Sequence, residues 1–121
     1  MTSYGDCGTA TACAAGTETL VATINILPGG NYSIRKIRVA ISQDAASEGA
    51  SGFVELKIDK VSGPFKFPVG MSSTIVSSGG GGASPADEID VDIPVPGSAQ
   101  VKIYATMTEA CDVVAGITYV G

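Results

Sequence analysis

From Glu18 to Val120 the chain alternates apolar and polar residues with a period of two and little interruption, which restricts it to strands. Successive side chains on a strand point to opposite faces, so each such segment has one face for a core and one for its surroundings. FVELKIDKV is the cleanest case, with Val54, Leu56 and Ile58 on one face and Glu55, Lys57 and Asp59 on the other. QVKIYATMT sets Val101, Ile103, Ala105 and Met107 against Lys102, Tyr104 and Thr106, and EIDVDIPV sets Ile89, Val91 and Ile93 against Glu88, Asp90 and Asp92. In ETLVATINI the inward set is Leu20, Ala22, Ile24 and Ile26. In YSIRKIRVAIS, Ile37, Val39 and Ile41 share a face while Ile34 is out of phase, which predicts a bulge near Arg35–Lys36.

The remaining segments complete a set of about eight strands. GPFKFPVG, bracketed by Pro64 and Pro68, suits a sheet edge or a crossing between sheets, because proline has no amide to donate to a ladder. STIVS is a further short strand and DVVAGITYV the last; LPGGN is a turn, and SQDAASEGA is a loop with room for one helical turn. No segment has a helical period. The fold class is therefore all-β, an antiparallel sandwich in which tight turns mix with longer crossings, as in a jelly roll. An immunoglobulin-like sandwich is the alternative, without its Cys…Trp…Cys framework, since the chain has no tryptophan. Residues 1–17 form an N-terminal arm of small residues, and residues 18–121 form a single domain.

Such a sandwich needs a polar exterior, and here the composition matters. Only 16% of the residues are charged against 45% hydrophobic, where roughly a quarter charged is usual. Small uncharged residues suit close packing against other chains, so part of the surface is expected to be covered in a homo-oligomer. The net charge of -5 disfavours nucleic acid as the main partner, because phosphate binding needs a basic field. The basic cluster Arg35, Lys36 and Arg38 is read as a solvated, ion-paired face. No apolar run approaches a membrane span, and the N-terminus lacks the basic and apolar regions of a standard signal peptide, so synthesis in a cytoplasm without export is expected.

Little in the chain can do chemistry. There is no histidine, no G-x-S-x-G elbow and no phosphate loop, so no enzyme is expected. The one constellation worth weighing is acidic: Glu88, Asp90 and Asp92 at period two, with Asp87 just before them. Same-face neighbours lie about 6.5–7 Å apart, so these four residues could hold calcium only with help from loop carbonyls such as those of Gly79–Gly82. The competing reading is a solvated face whose carboxylates pair with Lys57, Lys60 or Arg38. No other cofactor is expected. Cys7, Cys13 and Cys111 lack the spacing and the histidines of a zinc set. They are read as free buried thiols, although any two could form one disulfide.

The alternating strands from Glu18 to Val120, the N-terminal arm, the low charge and the missing catalytic set together resemble the small single jelly-roll proteins that build or decorate virus particles. The resemblance implies a non-enzymatic, self-assembling virion protein, often trimeric, with acidity favouring a capsid-decoration position over a genome-facing one. The arm and the glycine run would then be contact elements. Two other functions fit the same residues. One is a subunit of an extracellular pilus-like filament, with Thr9 to Ile26 added to a neighbour's sheet. The other is a calcium-dependent, lectin-like binding module using the acidic strand.

Overall fold

The computed structural model describes residues 3–43, 51–70, 82–83 and 87–121. Among these, ten strands and no helix occur. They are β1 (Ser3–Cys7), β2 (Thr11–Cys13), β3 (Thr19–Asn25), β4 (Asn31–Gln43), β5 (Ser51–Ile58), β6 (Phe65–Gly70), β7 (Gly82–Ala83), β8 (Asp87–Pro96), β9 (Gln100–Met107) and β10 (Cys111–Val120). The segments STIVS and SQDAASEGA lie wholly or largely outside the described residues, as do Gly79–Gly81.

Two antiparallel sheets result. In sheet A, β10 is central, with β1 and β2 in succession along one side and β4 along the other; the far side of β4 takes β8 and β7. Sheet B has the order β3-β9-β5-β6. The chain is thus one long hairpin whose pairs nest, β1 and β2 with β10, β3 with β9, β4 with β8, and β5 with β6. Two further pairs, β10 with β4 and β9 with β5, roll that hairpin into a sandwich. This is jelly-roll connectivity, and it sets aside the immunoglobulin-like alternative. The segment read as an arm supplies two strands to sheet A.

The two inner faces make one core. Val101, Ile103 and Ala105 of β9 are fully buried, as are Val54 of β5, Ile34 and Ile37 of β4, and Val113 of β10. The predicted bulge is present: the register of β4 against β8 shifts between Ile34 and Lys36, which returns Ile34 to the inner face and leaves Arg35 exposed. A second shift, between Leu20 and Ala22, corrects the reading of β3. Val21 is buried at 3% exposure, whereas Leu20 stands 42% exposed. Two adjacent apolar residues satisfy either phase, and only the bulge decides which one turns inward. The edge position predicted for the proline-bracketed strand holds, since β6 ends sheet B.

At one end of the sandwich the β3–β4 and β8–β9 turns bind each other. The Gly97 amide donates to the Gly30 carbonyl at 2.7 Å, and the Ser98 amide to the Leu27 carbonyl at 3.0 Å. Gly29 and Gly30 adopt φ of 83° and 150°, which a side chain would strain, so the glycine pair is what lets the chain turn there. Tyr4, Tyr32 and Tyr119 cluster with ring centroids 5.4–6.1 Å apart, and the buried Tyr119 hydroxyl accepts from the Leu27 amide at 3.3 Å.

Candidate assembly interface

Partners across a ladder share a face, so the registers lay out the outer face of sheet A row by row. One row runs Cys7, Gly116, Arg38, Glu88 across β1, β10, β4 and β8; the next runs Gly5, Thr118, Lys36, Asp90. A third pairs Val114 with Ala40. Three inter-strand gaps make each four-residue row about 14 Å wide. These three rows grade from small residues at β1 and β10 to ionic ones at β4 and β8, and Asp112 of β10 lies on the same face beyond Val114.

The small-residue side holds a shallow groove of about 480 Å³, whose lining includes Gly5, Asp6, Cys7, Arg38, Ala40 and Val114. It exists because two positions carry no side chain. A Cβ on Gly116 would lie 2.6 Å from Cys7 Cβ and 2.7 Å from the Asp6 carbonyl oxygen, so glycine there is required for β1 to lie flat on β10. Cys7 is therefore exposed at the groove, a correction to the reading of all three thiols as buried; Cys13 and Cys111 are buried. The groove's surface is mostly small and apolar, with Asp6 and Arg38 as the charged residues of its lining.

The ionic side accounts for the basic cluster. Lys36 Nζ lies 3.3 Å from Glu88 Oε2 and 4.0 Å from Asp90 Oδ1, and Arg38 Nη2 lies 3.4 Å from Glu88 Oε1. Both oxygens of Glu88 are thus engaged by cations of the neighbouring strand. Asp90 and Asp92 are exposed, and Asp87 pairs with Val39 through the backbone. Arg38 is one of the partners anticipated for this row; Lys36 takes the place expected of Lys57 or Lys60, because β4 rather than β5 is the neighbour of β8. Among the described residues no group of three or more carboxylate or thiol side chains is arranged to hold a metal ion.

Glu88 is 45% exposed, and ion pairs in that setting contribute about 0.2–1 kcal/mol. Glu88→Gln should accordingly lower the unfolding free energy by less than about 1 kcal/mol in urea titration. A loss of several kcal/mol would mean that the row is an integral part of the fold.

Sheet B presents a different outer face. Lys57 donates to Glu18 Oε1 at 3.1 Å and sits 4.5 Å above the Tyr104 ring, and Lys66 sits 5.0 Å above that of Phe53. The hydrogen bond to Glu18 holds the Lys57 ammonium above its ordinary pKa. Here charge covers aromatic surface, so it is sheet A that offers a stretch of small apolar residues. Sequence reasoning missed Gly5, Cys7, Ala40, Val114, Gly116 and Thr118 as a set, because only the pairing of β1 with β10 and of β10 with β4 brings them together.

The segment Thr9 to Ile26, the candidate donor strand of a filament, is paired within its own chain, through β2 with β10 and β3 with β9. No helix among the described residues is long and apolar enough to cross a membrane.

No protein-family model matches the chain, and no curated protein matches it in sequence. Among solved structures, that of infectious bursal disease virus, Gx strain, overlays with a TM-score of 0.50 at 10% sequence identity. The overlay covers 98% of this chain and 33% of the viral chain, so this chain spans about a third of that chain's length. At that identity the likeness is one of fold, and it extends over the whole sandwich.

Proposed function

We propose that this chain is a non-enzymatic structural subunit that assembles with copies of itself, as a capsid or capsid-decoration protein of a virion. The observation that carries the reading is the outer face of sheet A, where Gly5, Gly116, Ala40 and Val114 leave a shallow, mostly apolar groove on a strand surface. A monomer gains nothing from such a face, whereas a second chain packed on it removes apolar surface from water. The jelly-roll connectivity and the fold shared with a virus structure point the same way. The ionic rows along β4 and β8 would border the contact and fix its register, as charged rims do. We assign the acidic row to those ion pairs and not to calcium.

Light scattering on the purified chain tests this. The expected native mass is that of a trimer or larger species built from 12.1 kDa subunits. Val114→Glu combined with Ala40→Glu should reduce it to a monomer with an unchanged β-type circular dichroism spectrum, because both side chains lie on the outer face and buried like charges oppose association. A wild-type monomer at high micromolar concentration would refute the proposal. A chelator should leave the mass unchanged; dissociation on chelation would instead place a metal at Asp87, Glu88, Asp90 and Asp92.

A further inference from the structure

We propose that Cys13 and Cys111 form a cross-strand thiol pair that closes to a disulfide in an oxidising medium and so fastens β2 to β10. The two residues are direct partners in the antiparallel register, and both are buried, at 2% and 7% exposure. Direct partners project from the same face of a sheet, so the two thiols lie side by side at the core. Cα atoms of such partners are about 4.5–5.5 Å apart, inside the range of about 4.4–6.8 Å that a disulfide spans.

The registers also select this pair over the two others that three cysteines allow. Cys7 is opposite Gly116, five residues along β10 from Cys111, or about 17 Å. An odd separation also puts it on the other face, exposed at the outer groove. Cys7 therefore reaches neither Cys13 nor Cys111 without unpairing β1 or β2.

In the reduced fold the pair is quiet. Burial, with smaller contributions from Cys13 and Asp112, pushes the Cys111 thiol up to about 11, and burial also raises that of Cys13, whose Sγ donates to the Thr11 carbonyl at 3.6 Å. Few thiolates exist at neutral pH, so the folded chain passes through a reducing compartment unchanged. Reaction follows when β2, three residues at a sheet edge, lifts from β10. With a small-molecule disulfide such as oxidised glutathione, the Cys13 thiolate attacks one sulfur and releases one glutathione thiolate. The Cys111 thiolate then attacks the mixed disulfide at the Cys13 sulfur and releases the second. Two protein thiols are oxidised, one glutathione disulfide is reduced to two thiols, and the two protein protons end on the glutathione.

The resulting link would join residues near the two ends of the described chain and close a loop of about 100 residues. Loops of that size are among those where cross-linking constrains the unfolded chain most, giving an upward Tm shift of roughly 10 °C or more. The test uses the full chain, both native and refolded from denaturant, in a glutathione redox series, with alkylation, intact mass and peptide mapping. The expected product has one free thiol in place of three, a mass lower by two hydrogens, and a link between the Cys13 and Cys111 peptides. Its raised Tm should be reversed by a reductant. Cys7→Ser should leave all of this intact, and Cys13→Ser should abolish it. Three free thiols after refolding under oxidising conditions, or a dominant link through Cys7, would overturn the proposal.

Discussion

Replacing Ile103 with alanine is expected to lower the unfolding free energy by about 2–5 kcal/mol, a large part of the roughly 5–15 kcal/mol that holds a domain of this size together. Ile103 lies on β9 between Ala22 of β3 and Leu56 of β5, and none of its surface reaches solvent. Truncation removes three carbons from a site whose neighbours belong to a continuous sheet and cannot close in, so the lost transfer energy is joined by the energy of a residual cavity. Leu20→Ala is the matched control. It deletes the same number of carbons from the same sheet, but at a position that is 42% exposed, and should cost well under half as much. Urea titration of both variants against the parent tests the core and the bulge at Val21 together. Equal losses would place Leu20 inward and overturn the register of β3.

Gly116→Val should unfasten β1. The added Cβ meets Cys7 Cβ and the Asp6 carbonyl oxygen at 2.6 and 2.7 Å, and one of these is backbone, so rotating a side chain cannot relieve the overlap. Forced overpacking of this kind costs about 1–3 kcal/mol. Here the cheapest relief is for the edge strand to move away, since among the described residues β1 has β10 as its one ladder partner. Amide exchange at residues 3–7 should rise by at least about tenfold, while the amides of β9 keep their protection apart from the drop in global stability. The variant also fills the groove, so assembly through that face should fail with it. Unchanged exchange at residues 3–7 would mean that β1 does not lie over Gly116 in solution.

The alternation in the sequence tells which side of each strand faces the core, and for β5 and β9 it does so completely. The bulge at Arg35 was legible because Ile34 breaks phase with Ile37, Val39 and Ile41. The bulge at Val21 was not, because Leu20 and Val21 are both apolar and the pattern reads equally well in either phase. β1 and β2 escaped for a different reason: Ser3–Cys7 and Thr11–Cys13 are short edge strands with almost no buried residues, so they carry no hydrophobic period. The candidate interface was out of reach for the same cause. It is defined by which strands are neighbours, and alternation carries no information on strand order. The acidic row was visible as a row, but its partners Lys36 and Arg38 depend on β8 lying beside β4.

The central position of β10 sets the timing of folding during synthesis. All four strands of sheet B precede it, so that sheet can pair as soon as β9 leaves the ribosome. Sheet A cannot be completed, because among the described residues β1 and β2 pair in it with β10 alone, the last of the ten described strands. Until Cys111–Val120 emerge, β1 and β2 must wait unpaired across the synthesis of some hundred residues, and the nascent chain carries sheet B with its apolar face incompletely covered by β4 and β8. A stalled chain lacking β10 should therefore be the form that chaperones hold, and its release should coincide with the emergence of those ten residues from the ribosome.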